Sequence, residues 1–264
     1  MLREILEKLV RGQISIEEAE KAINLFAIEE IANLAKLDVN REDRSGIPEI
    51  ILAEGKRAED LIEISLKTLN KKGRVIISRA KKEQIDAIKI NLPSDVFVEI
   101  NERAGLMVIR RKNFKPKKTG GKVGILAAGT SDIPIAEEAR VVAEEMGCEV
   151  LTAYDVGVAG LHRLFSPLKE MISRDVDAII VVAGREGALP SVVAGLVDVP
   201  VIAVPTSIGY GFGEKGISAL MAMLQACSLG ITVVNIDGGI PAGTAAALIA
   251  NRVAKFRNQL ERGK

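Results

Sequence analysis

The sequence predicts an α/β protein: a parallel-sheet, three-layer α/β/α domain in its C-terminal half, preceded by N-terminal helices and a small α+β domain. Three observations carry this. From residue 122 onward one unit repeats: a short aliphatic run, a glycine-rich turn, then a helical stretch. Strands alternating with helices imply right-handed crossovers and a parallel sheet. Apolar residues make up 48% of the chain, but Phe, Tyr and Trp together only 3%, so the core is aliphatic, as a sheet covered by helices on both faces requires. Finally, residues 110–121, RRKNFKPKKTGG, hold six basic residues, one Pro and two Gly but no acid, which reads as an exposed linker.

The elements follow in order. Residues 1–47 form a helical segment. Leu2, Ile5, Leu6, Leu9 and Val10 make one apolar stripe that ends at Gly12, and Ser15 with Glu18 makes a capping box for a second helix carrying Ile16, Ala19, Ile23 and Phe26. That helix either continues or restarts through Ile31, Leu34 and Leu37. Residues 48–111 form the small α+β domain: a strand at 49–53, a helix at 59–69, a strand at 75–78, a short helix, and a hairpin of 96–99 with 106–110 turned at Ala104–Gly105. Residues 112–121 are the basic linker. The α/β domain spans 122–264, with strands at 123–127, 150–153, 178–183, 201–204 and 232–236. Helices are expected near 133–146, 164–174, 188–197, 216–227 and 242–261, the last longer than one sheet needs and suited to packing on another subunit.

The bulk numbers exclude several classes. Net charge is +1, with 24 basic against 20 acidic residues in 1–120 and 12 against 15 in 121–264. That skew suits an anionic small molecule, not a nucleic acid or a membrane surface. With no Trp and two Tyr, base-stacking platforms are not expected. Two cysteines do not make a disulfide framework. With no basic-then-apolar leader and no transmembrane-length run, the expectation is a cytoplasmic protein.

The predicted strand ends read AAGTSD (127–132), DVGVAGLHR (155–163), AGREGALP (183–190), PTSIGYGFGEKG (205–216) and NIDGGIPAG (235–243). In a doubly wound sheet these ends form the binding crevice, and helix N-termini beside them favour an anion. Gly129, Thr130, Ser131 and Asp132 fit either a phosphate cradle or a capped helix start with Ser131 or Asp132 as the cap. His162, the single histidine, lies just past the second strand. Glu186 stands between Gly184 and Gly187, free of crowding. Asp155 and Asp237 end other strands, and a hard cation held through phosphate and one or two carboxylates suits this set. Cys148 reads as a small buried hydrophobe. Cys227, at the end of the fourth helix directly before the fifth strand and next to the glycine-rich turns, fits either that role or a reactive one.

Several of these stretches are familiar. GTSDIPIAEEA (129–139), YDVGVAGLHR (154–163), VVAGREGALPSVVAGLVDVPVIAVPTSIGYG (181–211) and VVNIDGGIPAG (233–243) resemble the phosphoribosylaminoimidazole carboxylase (PurE-like) fold. They are closer still to the LarB family, the carboxylase/hydrolase of nickel-pincer nucleotide cofactor biosynthesis. Asp38, Arg41, Arg44, Gly46, Pro48, Glu49, Gly55 and Lys56 match that family's front motif. Arg185 stands where the family pattern has Met, and Gly238 where it has Asn. The resemblance implies a flavodoxin-like C-terminal domain, an octamer or tetramer, and Mg²⁺.

It also implies carboxylation of the pyridinium ring of nicotinic acid adenine dinucleotide at C5 by CO₂ or bicarbonate. Cleavage of the pyrophosphate then gives the 3,5-biscarboxylic mononucleotide and AMP. A pyridinium carbon is too electron-poor to attack CO₂, so a thiolate adding at C4 is needed to make C5 nucleophilic. The resemblance gives Cys227 that role. Glu186 is then the candidate for proton transfer or water activation, and Asp155 or His162 for the C5 proton or CO₂ placement. Gly129, Thr130, Ser131, Asp132, Gly184 and Gly187 would bind the nucleotide. Arg41, Arg44 and Lys56 would take the pyrophosphate or carboxylate, with Asp132 and Asp237 as metal candidates. Two other readings stand beside this one: an aminoimidazole ribonucleotide carboxylase or mutase, which needs no cysteine, and a nucleotide-binding module without turnover.

Overall fold

In a computed structural model, which describes residues 2–24, 28–31, 35–38 and 41–262, the chain divides into two compact units, Met1–Phe114 and Lys115–Lys264. The first begins with helices α1 (Leu2–Val10) and α2 (Ile16–Asn24). The capping box forms: the Ser15 amide donates to Glu18 Oε2 at 2.8 Å and the Glu18 amide to Ser15 Oγ at 3.1 Å. The helical reading of the next stretch does not hold. Strands β1 (Ile28–Ile31) and β2 (Ala35–Asp38) pair antiparallel, with Ile28 opposite Asp38 and Ile31 opposite Ala35. Leu34 lies outside the described residues. Three apolar residues spaced by three fit a short helix or a hairpin equally, and cross-strand pairing decided here.

The rest of this unit is helix α3 (Arg41–Ser45), strand β3 (Ile50–Leu52), helix α4 (Ala58–Lys72), strand β4 (Arg74–Ser78), helix α5 (Lys82–Ile90) and strands β5 (Val96–Asn101) and β6 (Leu106–Arg111). The sheet order is β3-β4-β6-β5, with β3 parallel to β4 and the other pairs antiparallel. Leu61, Leu69, Ile77, Ile88 and Ile109 form its dry core. Lysines in the last turn of α4 and a left-handed Gly73 behind it give a helix stop that is readable in the sequence.

The second unit runs β7 (Lys122–Ala127), α6 (Ile133–Glu145), β8 (Glu149–Ala153), α7 (His162–Ser173), β9 (Ala178–Ala183), α8 (Leu189–Ala194), β10 (Val201–Pro205), α9 (Ile217–Leu224), β11 (Ile231–Val233) and α10 (Gly239–Arg262). All five strands are parallel, in the order β8-β7-β9-β10-β11. Numbered within this unit, the order is 2-1-3-4-5, the flavodoxin-like arrangement. Every residue of the central strand β9 is buried, which explains its unbroken aliphatic run. The expected fifth strand is shorter, three residues, because only Val201–Ala203 of β10 pair with it.

Helix α10 buries Ala242, Ala246, Ala247, Ala250 and Ala254. A Cβ at Gly243 would lie 2.5 Å from the Ala139 carbonyl oxygen of α6. Gly239 and Gly243 of GGIPAG therefore permit close packing on α6. The far end of α10 also folds onto its own unit: Arg257 pairs with buried Asp177 at 2.5 Å, and Asn258 Nδ2 donates to the Thr119 carbonyl at 3.3 Å. Thr119 in turn bonds Gly147, so the end of the basic linker is packed. Among the described residues no helix is long and apolar enough to cross a membrane.

Candidate active site

Order 2-1-3-4-5 has one switch point, between β7 and β9, where the chain leaves in opposite directions and the loops part. A cavity of about 220 Å³ opens there. Its wall comes from Ala128, Gly129, Ser131 and Asp132 after β7, residues 157–159 after β8, residues 183–186 and 188–189 around the β9 turn, and Ile208 after β10. Of the residues singled out in the sequence, this brings together Gly129, Ser131, Asp132, Gly184 and Glu186. Thr130 is adjacent in the chain and exposed.

Asp132 is buried. Its Oδ2 accepts from the Gly129 amide at 2.9 Å and its Oδ1 from Thr206 Oγ1 at 2.7 Å. Burial pushes its carboxyl above the ordinary value of 3.8, against the hydrogen bonds from Thr206, Gly129 and Gly184 that pull it down. Asp132 therefore clamps the turn from the cavity wall. Glu186, in contrast, is exposed on the wall. Arg185 beside it has φ +52°. Asp155 (φ +59°) and Asp237 (φ +56°) share this left-handed conformation two to four residues past β8 and β11. Such backbone strain in non-glycine residues clusters at binding edges.

Other expected residues lie elsewhere. Asp155 is paired with Arg163, and His162 is the exposed first residue of α7; the wall of this cavity uses the loop between them instead. Gly187 is buried, and a Cβ there would sit 2.8 Å from the Ala219 carbonyl oxygen, so its glycine serves packing against α9. Asp237 Oδ1 accepts from the Ser207 amide at 2.8 Å. Arg41, Arg44 and Lys56 belong to the first unit. There Arg41 lies 3.7 Å from Glu49, and Lys56 Nζ donates to the Leu52 carbonyl at 2.7 Å. Among the described residues no three Asp, Glu, His or Cys side chains converge as a metal cage.

Cys227 does not sit beside the cavity of its own chain. Helix α9 ends at Leu224, and Cys227 is exposed in the bend that enters β11. In a parallel sheet that loop meets the N-terminal strand ends: the Gly230 carbonyl accepts from the Val201 amide, the first residue of β10. Ser228 Oγ fastens the loop to the Ser191 carbonyl of α8 at 2.8 Å. Cys148 is buried as expected, its thiol pushed up to about 12 by desolvation and Asp177. Sequence reasoning missed Tyr210, whose ring lies under the Arg185 guanidinium with Cζ 4.5 Å from the centroid. The signal available was the glycine-flanked tyrosine of the fourth loop.

Comparison with known proteins bears on this arrangement. Residues 122–263 match the family described as AIR carboxylase, and residues 28–112 match the LarB/PurE-like N-terminal domain. An uncharacterized protein of Methanocaldococcus jannaschii is 50% identical over 96% of this chain and 98% of its own length. N5-carboxyaminoimidazole ribonucleotide mutases of Pyrococcus horikoshii and Methanocaldococcus jannaschii are 30% and 33% identical, over 56% and 51% of this chain and 77% and 80% of their own. The matched domains are those of carboxylase- and mutase-type enzymes. With both domains present in this order, the chain belongs to the LarB family, with a PurE-like C-terminal domain.

Proposed function

We propose that the protein carboxylates the pyridinium ring of nicotinic acid adenine dinucleotide at C5 and cleaves its pyrophosphate, in nickel-pincer cofactor biosynthesis. The observation that carries this is the fusion of a LarB/PurE-like N-terminal domain to an AIR carboxylase domain whose cavity holds exposed Glu186. The Cys227 thiolate adds to C4, and the ring electrons neutralise the pyridinium nitrogen. C5 of the resulting dienamine attacks CO₂ and forms the new carbon–carbon bond. Glu186 takes the C5 proton, and the electrons released expel the thiolate and restore the aromatic ring. Water then attacks phosphorus and AMP leaves. Mg²⁺ would arrive on the phosphate oxygens with its own water shell, and none of these steps depends on it.

Since Cys227 lies outside its own cavity, this reading has it supplied by a second copy. In support, Ile217, Met221 and Leu224 lie on one exposed face of α9, followed by Leu229 at 90% exposure. This apolar strip flanks Cys227, and a neighbouring subunit of a homo-oligomer would cover it.

The test is incubation with the dinucleotide, bicarbonate and Mg²⁺. AMP and a doubly carboxylated mononucleotide, identified by mass, are expected; their absence overturns the reading. The similarity to N5-carboxyaminoimidazole ribonucleotide mutases favours a second reading, turnover of that ribonucleotide. It leaves residues 28–112 without a role.

A further inference from the structure

The cavity volume of about 220 Å³ is below the ~300–1,000 Å³ of pockets that enclose drug-sized ligands. The cavity opens to the surface, and a dinucleotide seated in it by one ring would extend its other half along the rim. Arg185 and Tyr210 stand there. Arg185 lines the cavity, and its carbonyl accepts from Ser218 Oγ at 2.8 Å, which ties the turn to α9. Its guanidinium covers one face of the Tyr210 ring. Tyr210 is 78% exposed. Arg185 is exposed beside the Tyr210 side chain, to which it hydrogen-bonds, and the Glu186 carboxylate, and both hold its guanidinium charged.

A planar heterocycle bearing a phosphate matches this pair on both counts. The ring stacks on the open face of the tyrosine, and the guanidinium forks onto phosphate oxygens. We infer that Arg185 and Tyr210 form an outer subsite for the purine nucleoside monophosphate half of the substrate, the half that departs as AMP. The inference rests on the dinucleotide reading above and adds to it where that half is held. It also gives Arg185, a departure from the family's Met, a task.

The test uses the full chain and binding, not turnover. AMP and nicotinic acid mononucleotide are titrated calorimetrically into the wild type, Tyr210→Ala, Tyr210→Phe and Arg185→Met. Stacking one base on one ring sets the scale at roughly 5-fold or more. AMP affinity should fall by that factor in Tyr210→Ala and Arg185→Met and hold in Tyr210→Phe, while mononucleotide affinity should stay within about twofold in the two Tyr210 variants. Unchanged AMP affinity in either weakened variant, or no AMP binding by the wild type at millimolar concentration, overturns the subsite. The two claims fail separately. AMP binding through this pair without conversion of the dinucleotide removes the reaction only, and conversion with AMP affinity indifferent to both residues removes the subsite only.

Discussion

Thr206 Oγ1 donates a hydrogen bond of 2.7 Å to Asp132 Oδ1, and both side chains are buried. The bond joins the turn after β10 to the turn after β7 across β9, so the cavity floor depends on it. Thr206→Val removes the donor at constant shape and leaves a buried carboxylate oxygen short of one partner, at about 1–3 kcal/mol. Asp132 has its native carboxyl value raised above 3.8. Its contribution to stability is therefore full below 3.8 and lost as pH rises through the raised value. Losing the Thr206 hydroxyl raises that value further, so the variant's deficit should grow between pH 4 and pH 7. Urea midpoints at the two pH values measure it; an equal gap at both refutes the clamp.

Glu186→Gln should keep the fold, since Glu186 is exposed, while carboxylation falls by roughly 10²–10⁴-fold. Cys227→Ser should abolish it. If the thiol crosses between copies, mixing the two inactive proteins under conditions that exchange subunits restores part of the activity, because some sites then receive an intact Glu186 and an intact Cys227. Failure to complement, despite demonstrated exchange, removes the shared site.

The two thiols should separate cleanly. Cys227 is exposed, whereas Cys148 is buried with its thiol pushed up to about 12. Ellman's reagent at pH 8 should titrate one thiol per native chain, a second only in denaturant, and none in native Cys227→Ser. Two fast thiols in the native protein contradict the burial of Cys148, whose Sγ donates to Asn251 Oδ1 at 3.3 Å.

Two glycines in the same row of turns should respond in opposite ways. Gly187→Ala places a Cβ against Ala219 backbone at 2.8–3.3 Å in a left-handed conformation, and should lower stability by several kcal/mol, of which about 1–2 kcal/mol is conformational. At Gly129 the nearest atom to a Cβ is 3.5 Å away. Gly129→Ala should leave the urea midpoint unchanged and weaken nucleotide binding, as calorimetry would show.

Much was legible before any coordinates. The β7–α10 alternation, the β9 core run, the Ser15–Glu18 box and the crevice at the glycine-rich ends all rest on local pattern, which sequence carries directly. The hairpin at β1 and β2 was not legible, because three-residue spacing of apolar side chains does not distinguish helix from strand. Nor could spacing tell Gly187 and Gly243, which let backbones touch, from Gly129, which leaves room for a ligand.

What the sequence alone determined, then, is the layer architecture and the edge of the sheet where the cavity opens, since hydrophobic period and turn chemistry are properties of neighbours in the chain. Only the tertiary structure decided which groups share the cavity. It buried Asp132 as a clamp, paired Asp155 with Arg163 and set Arg185 on Tyr210. Each of these depends on residues 8 to 74 positions apart meeting in space, and that is settled by strand order and packing.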